Sequence, residues 1–550
     1  MVQTKIPIKV QKRSGFDKSH HNALTQKLGT ITPILCDEII PNTKIHLRYA
    51  MAGSLPPLAY DAFMKVYYDV RAFFVPMRLL YGGFETWFSD YQQPTVQGGT
   101  GGNQIINQKA VMPYFALDYS ADFTDIIGPG TLSDYLGFKV DDVNWSGDID
   151  NAVIFGMLPF MAYHRICNDW FRQANVTKEY FARPEFYPSI TGSSNYFPAM
   201  LPFVTLDQNS AICPLNSSED IDNPNLRLAD GVSVFSLRQA NYDYDYFTNA
   251  LPSAQLGTVY SVGSASSFTI QALRYANSLQ QFSELNMLSG ANLVDVVKAR
   301  YGANLSKGVA QRSIYLGGAR LAIGTKSVEV QANANSINSS NPFKNQIGAT
   351  GGRVLVQGSD LIVDGFTAEE PGYLMVVGTL IPKVTYGTGV RRYLKHFIGQ
   401  GSLVDMANPL LQNIGNQPIY DYELTGSVGI SSNENLVFGY TDRYAEYMTM
   451  EDECHGLMSI SQSLSSFVAQ RYFGDQSTPT IGSNFLQVAT SDLDSVTAVY
   501  ATISQYGFYG QFAFDYKISQ PLAQYSLPSL QNPAYEHGIT VKVHRGGFRF

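Results

Sequence analysis

Three short runs in the chain carry side chains that could catalyse a reaction or bind a ligand. For each run, the spacing of these residues can be compared with the spacing that such a site requires. One run offers acid, base and nucleophile together, at Glu451, Asp452, Glu453, Cys454 and His455. A catalytic site also needs a second cluster of partners and a shaped pocket, and the sequence gives no sign of either. In the second run, Gly324–Ser327, the glycine does not directly precede the lysine as a phosphate-binding loop requires. We predict a β-turn there.

The third run is acidic and surrounds Trp145, with carboxylates at Asp141, Asp142, Asp148 and Asp150. Carboxylate oxygens could hold calcium, but their spacing does not follow the known calcium loop. A solvated acidic loop is the preferred interpretation. The sequence also contains neither H-E-x-x-H nor G-x-S-x-G. We therefore predict no catalytic, metal-binding or cofactor-binding residue, and no cofactor.

Charge is distributed unevenly along the chain. The net charge is −8, yet the first 27 residues hold six cations opposed only by Asp17, with His20 and His21 nearby. A basic end on an acidic protein suits contact with a packaged polyanion. The candidate DNA-contacting residues are Lys5, Lys9, Lys12 and Arg13, with Arg545 and Arg549 as weaker candidates near the other end. The alternative is a solvated arm whose charge only aids solubility.

The composition indicates a large folded protein with an unusually uncharged surface. Of 550 residues, 45% are hydrophobic, 13% aromatic and only 15% charged, with 35 Tyr and 32 Phe. Interface cores are depleted in charge and enriched in aromatic residues, so such a surface suits a protein covered by copies of itself. A secreted β-protein with a carbohydrate-binding face is the alternative. The four cysteines, at Cys36, Cys167, Cys213 and Cys454, are widely spaced and predict buried thiols made in a reducing cytoplasm.

The elements that would position these residues are mostly strands. Apolar residues alternate with polar ones from Ile45 to Met51, and less strictly from Val66 to Phe74. Further strands are predicted at Ser327–Gln331, Arg353–Gln357, Leu361–Asp364, Tyr373–Leu380, Gly507–Ile518 and Gly538–His544. Because few helices separate these strands, we expect an antiparallel sandwich rather than a parallel sheet.

Helices are predicted in only a few places. The segment Met157–Val176 puts Tyr163, Cys167, Trp170 and Phe171 on roughly one face, which is typical of a core helix. Apolar residues spaced as on a helix run from Leu273 until Gly290. A second short helix is predicted at Leu293–Tyr301, before a glycine that would cap it.

Sequence blocks along nearly the whole chain, together with the Met157–Val176 segment, resemble those of one known family. The blocks are SGFDKSHHN (14–22), KVYYDVRAFFVPMRLLYGGFETW (65–87), GTLSDYLGF (130–138), NYDYDYFTNALPSAQLG (241–257), IYLGG (314–318), EPGYLMVVGTLIPKVTYGTGV (370–390) and FGYTDRYAEYM (438–448). They occur in the family's order. The chain is identified as a member of the major capsid proteins of microviruses, the small single-stranded-DNA bacteriophages, in the gokushovirus-like branch.

The resemblance implies a fold and a function. The fold would be mainly β: an eight-stranded antiparallel jelly roll with long loop insertions, at about 85–160 and 177–325, that carry a few short helices. Residues 1–30 would form an interior-facing basic arm and residues 31–550 a single capsid domain. The protein would assemble in the host cytoplasm and be located in the virion, as a T=1 icosahedral shell around circular single-stranded DNA.

The resemblance also implies partners. These are identical subunits, packaged single-stranded DNA, internal scaffolding and minor DNA-piloting proteins, and a receptor on the bacterial surface, without membrane insertion. Insertions in such relatives form surface protrusions. The segments Phe186–Asn225 and Ser261–Ser267 are the candidates here for host attachment.

Two alternatives come from other classes of protein. An outer-membrane β-barrel would also be acidic, aromatic-rich and terminated by an aromatic residue such as Phe550. The missing signal peptide, the internal helices and the irregular spacing of the strands argue against it. A secreted glycosidase would need a carboxylate pair in a cleft and an export signal. The coat protein is therefore preferred.

Overall fold

The structure is a computed structural model. It describes residues 13–55, 63, 65–81, 84–88, 93–97, 104–108, 114–117, 128–138, 153–174, 176–181, 214–215, 228, 230–254, 270–271, 274–275, 277–279, 281–282, 297–298, 300–303, 311–330, 349–398, 407–409, 412, 415–426, 436–460, 462–473, 479–490, 492 and 507–522.

Strands dominate the described residues. In chain order they are β1 (Ser14–Asp17), β2 (His20–Gln26), β3 (Thr30–Ile39), β4 (Thr43–Ser54), β5 (Lys65–Pro76), β6 (Gln93–Gln97), β7 (Gln104–Gln108), β8 (Tyr114–Leu117), β9 (Val153–Gly156), β10 (Pro214–Leu215), β11 (Arg238–Gln239), β12 (Ile314–Val330), β13 (Ala349–Ala368), β14 (Gly372–Lys383), β15 (Thr385–Tyr386), β16 (Gln417–Tyr420), β17 (Val437–Thr441), β18 (Gln470–Arg471) and β19 (Phe508–Gln520). Ten of them form one antiparallel sheet in the order β1-β19-β4-β13-β12-β5-β14-β3-β11, with β2 also paired to β19. The remaining strands form small two- or three-stranded sheets.

Helices among the described residues are short. The α-helices are α1 (Phe84–Phe88), α2 (Leu132–Tyr135), α3 (Leu158–Ile166), α4 (Asp421–Thr425) and α5 (Ser483–Leu486), and one π-helical turn follows α3 at Cys167–Phe171. The 3-10 turns are Met77–Leu79, Arg392–Ile398, Ala445–Tyr447, Gly456–Met458 and Ser465–Phe467. Further helical residues lie between 270 and 282 and between 297 and 301. The prediction of a mainly β, antiparallel protein with few helices is confirmed.

Two long strands fold the large sheet into two layers. The first part of β12 pairs with β5 and its second part with β13, while the second part of β13 pairs with β4. One layer is therefore β12-β5-β14-β3 and the other is β13-β4-β19 with β1 and β2. Tyr68 of the first layer meets Phe508 and Phe512 of the second, with ring centroids 4.9 and 5.7 Å apart. The layers thus pack face to face as a sandwich.

Strand β4 confirms the strict alternation read from the sequence. Ile45, Leu47, Tyr49 and Met51 are all at most 2% exposed, and the residues between them are exposed. This pattern arises because only one face of β4 meets the core, and a slip of one residue would turn the whole apolar set outward.

Strand β5 is also confirmed, and the structure explains why its alternation is weaker. Tyr68 and Val70 face the sandwich core, whereas Phe73 and Val75 enter a second apolar cluster on the other side of the sheet. A strand covered on both faces needs apolar residues at nearly every position. Strand β14 is buried over most of its length for the same reason.

The layer covering that second face is α3 and its π-helical turn. Tyr163 is fully buried, donating its hydroxyl to the Ile31 carbonyl of β3 at 2.7 Å and accepting from the Arg238 amide at 2.8 Å. Trp170 is only half-buried, and its indole N–H donates to Ser313 Oγ at 2.9 Å. Cys167 is buried as predicted, while Cys36 and Cys454 are half-buried. All three of these described cysteines are free thiols.

Four other sequence predictions need comment. The β-turn predicted at Gly324–Ser327 is wrong: these residues lie inside β12, paired with Gly352–Leu355 of β13. The separate strands predicted around Arg353 and Leu361 are one continuous strand, because the residues between them, Gly358–Asp360, pair with β4 without a break in register. Gly302 ends its helix as predicted, in the left-handed conformation with φ of 65°. The predicted strand Gly538–His544 lies outside the described residues.

His164 of α3 makes the stability of the subunit depend on pH. Its ring is fully buried, with Nε2 donating to the Val234 carbonyl at 2.7 Å and Nδ1 accepting from Arg238 Nε at 3.2 Å. Burial, followed by the neighbouring Arg238 charge, lowers the pKa of His164 well below its usual range. The folded state therefore resists protonation of this ring, while the unfolded chain takes up a proton near pH 6.5.

We expect the free energy of unfolding to fall as pH drops below about 6.5, by up to about 1.4 kcal/mol per pH unit from this group. Thermal unfolding of the dissociated subunit between pH 7.5 and 5.5 measures the slope. His164→Gln should unfold more easily at pH 7.5 but show a shallower slope. Equal slopes in both proteins would contradict the assignment.

Candidate interaction surfaces

Of the six residues predicted to contact DNA, the structure describes only one. Arg13 is exposed and directly precedes β1. Lys5, Lys9, Lys12, Arg545 and Arg549 lie outside the described residues. Their role stays a prediction.

The second half of the predicted basic arm is part of the sheet. Strand β1 pairs with the end of β19, from Ser14 opposite Gln520 to Asp17 opposite Lys517. Lys18 then donates to both carboxylate oxygens of Asp37 at 2.6 and 2.7 Å. Tyr516 donates its hydroxyl to the same carboxylate at 2.7 Å. Lys18 thus ties the start of the chain to β3, and its charge is balanced within the subunit.

The run from Glu451 to His455 is used for ion pairs and hydrogen bonds between loops. Glu453 accepts two hydrogen bonds of 2.7 Å from Arg391. Asp452 pairs with Lys383 at 2.7 Å, and the Cys454 thiol lies 3.0 Å from the Thr385 hydroxyl. The structure therefore holds these side chains against neighbouring segments, which is a structural use of acid groups.

The acidic run around Trp145 lies outside the described residues. Within the described part of the chain, no group of three or more His, Cys, Asp or Glu side chains could hold a metal ion. No helix among the same residues has the length and apolar character needed to cross a bilayer.

A surface groove next to this run is a candidate for binding because of its exposed apolar side chains. We call it the aromatic groove: a depression of about 630 Å³ whose apolar residues include Tyr393, Leu394, Tyr447 and Met450. These side chains are between 53 and 77% exposed, and the adjoining Met448 is 58% exposed. Large apolar side chains gathered at one place on a surface mark a site of contact with another molecule.

A buried ion network beneath the groove holds its walls. The Arg392 side chain is 3% exposed, and its Nη1 lies 3.2 Å from Glu423 Oε1 and 2.7 Å from the Pro418 carbonyl. Its Nε lies 3.5 Å from Glu446 Oε1. Arg392 directly precedes Tyr393, and Glu446 directly precedes Tyr447. The network therefore fixes the two 3-10 turns that present the aromatic side chains.

Glu423 is the centre of this network. It occupies the third position of α4, where Oε1 accepts from the Tyr420 amide at 3.0 Å. Its Oε2 accepts from the Tyr246 hydroxyl at 2.9 Å. Burial raises the pKa of Glu423, and the Arg392 charge opposes that rise.

The chain passes close to Glu423 at Gly389, which forms part of the wall. Gly389 has φ of 131°, and a Cβ there would stand 2.3 Å from the Glu423 carbonyl oxygen. Only glycine fits this approach. The groove could not be recognised from the sequence, although the Arg391-Arg392-Tyr393 run joins residue types that are enriched at binding hot spots.

The fold and the groove together define a class: a β-sandwich protein with large apolar side chains gathered at one place on its surface. The chain belongs to the phage family described as Capsid protein (F protein), which it matches over residues 4–530. It is thus a bacteriophage capsid protein and a component of the virion.

Curated relatives agree with this assignment. The chain is 23% identical to capsid protein VP1 of Chlamydia phage 1, over 96% of this chain and 97% of the relative. It is 22% identical to VP1 of Bdellovibrio phage phiMH2K and 24% identical to VP1 of Spiroplasma virus 4, each over 94% of this chain and 95% of the relative. The sequence-based assignment to gokushovirus-like capsid proteins is confirmed. The family also decides between the alternatives in favour of the coat protein.

Proposed function

We propose that this protein is the sole subunit type of a T=1 icosahedral shell that encloses circular single-stranded DNA, with an eight-stranded jelly roll as its shell-forming core. The observation that carries the proposal is the match to a capsid family over residues 4–530. The two layers of the sandwich support it, because each contributes about four strands to one shared apolar core.

Assembly would be driven by burial of apolar and aromatic side chains between subunits. Modest contacts give a stable shell when closed symmetry repeats them. The test is to express the full chain, with a scaffolding protein supplied where needed, and to image the product by negative-stain electron microscopy. Closed isometric particles of one size are expected. Particles of several sizes, or soluble monomers under every condition, would contradict the proposal.

We propose further that the residues before β1 contact the genome. Lys and Arg neutralise phosphates regardless of sequence. Arg13 is exposed where the described chain begins, and the predicted contacts Lys5, Lys9 and Lys12 precede it. Arg545 and Arg549 are proposed as weaker contacts. We also propose internal scaffolding proteins and minor DNA-piloting proteins as partners of this subunit.

Replacing Lys9, Lys12 and Arg13 by alanine should reduce DNA binding and its salt dependence. Each lost phosphate contact lowers the slope of log affinity against log salt by about 0.7, so a change of about 2 is expected. Binding of labelled single-stranded DNA, measured at several salt concentrations, gives the slope. Alanine at the exposed Lys44, Lys65 and Lys517 is a control of equal charge. Equal changes in the salt-dependence slope for both triple variants would contradict genome contact by the residues before β1.

Host attachment is proposed for the insertions. Of the candidate segments, Phe186–Asn225 is described only at Pro214–Leu215, and Ser261–Ser267 lies outside the described residues. Support comes from the family resemblance, in which insertions form the surface protrusions.

A further inference from the structure

A second surface of the subunit exposes large apolar side chains among the residues that the structure describes. We call it the helical knob: the described helical residues between 270 and 282 and between 297 and 301. Ile270, Tyr275 and Tyr301 are 71, 69 and 76% exposed, and Phe282 is 49% exposed. Exposure extends to nearly every described position of the knob. A helix that exposes large apolar residues gains stability when another surface covers them.

The knob is basic. Its two helical stretches meet where the Arg300 guanidinium lies 5.2 Å from the centroid of the Phe282 ring. Arg274, Lys298 and Arg300 are exposed, and the described helical residues of the knob include no acidic side chain. Aromatic residues and cations therefore share one exposed surface.

The aromatic groove has the opposite charge. Four carboxylates line it, at Glu423, Glu446, Glu451 and Glu453, against the two guanidinium groups of Arg391 and Arg392. The lining thus carries two formal negative charges in excess. Burial raises the pKa of Glu451 because it disfavours the ionised carboxylate. A cation brought next to this side chain would stabilise the ionised form.

We propose that the helical knob of one subunit docks into the aromatic groove of a neighbouring subunit. The inference rests on the proposed function, since it names the surfaces through which copies of the chain would associate. Knob and groove are different surfaces, so the contact is head-to-tail, and repetition of such a contact closes rings when the rotation permits. Complementary charge would steer the encounter and fix the orientation.

The groove is suited to strong association because its residues are already fixed. The Arg392 network holds the turns that carry Tyr393 and Tyr447, so little conformational entropy is lost there on docking. Tyr and Arg are the residue types that most often dominate interface energies. The groove combines exposed apolar side chains with the Arg391–Glu453 ion pair, and interfaces likewise combine apolar residues with polar ones.

The test is disulfide cross-linking between copies in assembled particles of the full chain. Met450→Cys places a thiol in the groove, and Tyr301→Cys places one on the knob. Particles of the double variant, oxidised and run on a non-reducing gel, should give a ladder of dimers, trimers and larger species. Each single variant should give severalfold less cross-linked chain, which also measures any background from the native Cys454.

A matched control pairs Tyr301→Cys with Leu522→Cys, a residue that is 45% exposed but outside the groove. Intact particles of the Met450/Tyr301 variant that give no ladder would overturn the docking proposal while leaving the proposed function standing. An equal ladder from the Leu522 control would also overturn it. Failure of the unsubstituted chain to form particles would instead contradict the proposed function.

Discussion

Replacing Arg392 by methionine should destabilise the subunit by about 3–5 kcal/mol, because Glu423 would remain buried without its cation. The carboxylate retains its bonds from the Tyr420 amide and the Tyr246 hydroxyl, but these do not neutralise its charge. Unfolding of the dissociated subunit in urea, followed by tyrosine and tryptophan fluorescence, gives the change in free energy. We also expect fewer assembled particles, because the turns that carry the groove aromatics would lose their anchor.

The adjacent arginine provides a matched control. Arg391 forms an equally well-formed pair with Glu453, but its side chain is 35% exposed. Water solvates both charges when such a pair is broken, so Arg391→Met should destabilise the subunit far less than Arg392→Met. Equal losses from the two substitutions would show that burial of the Arg392 network is not what stabilises this region.

Phe512→Ala should cost about 3–5 kcal/mol, because it empties the centre of the sandwich. Phe512 is fully buried on β19, where its ring packs against Tyr68 from the opposite layer. Its loss would remove a contact between the layers as well as one within a strand. The shift of the thermal unfolding midpoint of the dissociated subunit measures the effect.

Tyr509 on the same strand is the control. It is 46% exposed on the opposite face of β19. Tyr509→Ala should change the stability of the dissociated subunit by no more than about 0.5 kcal/mol. A large loss from Tyr509→Ala, or a small one from Phe512→Ala, would mean that the register of β19 is incorrectly assigned.

Features set by local patterns could be predicted from the sequence. The alternation of Ile45, Leu47, Tyr49 and Met51 identified β4, because successive side chains of a strand point to opposite faces of the sheet. The apolar stripe around Tyr163 identified α3 in the same way. The π-helical turn at its end could not be predicted. It depends on Trp170 and Asp169 binding Ser313, more than 140 residues away.

Features set by distant partners were missed or mistaken. The turn predicted at Gly324–Ser327 failed because pairing with β13 overrides local turn preference. The aromatic groove was missed because Arg392 acts through Glu423 and Glu446, and no short motif joins these positions. Asp169 depends on a distant partner in the same way: its side chain is buried against the start of β12, where it accepts hydrogen bonds from Ser313.

The pairing of β19 with β1 and β2 has a consequence for biosynthesis. Ser14 lies opposite Gln520, and Gln26 lies opposite Phe508, so these ladders join regions almost 500 residues apart. Closing such distant contacts is slow, and it cannot begin until the ribosome has released the segment that forms β19. A prematurely terminated polypeptide would leave the edge of β4 open. It would also lack Phe508 and Phe512, which β19 contributes to the sandwich core, so translation must be nearly complete before that core can form.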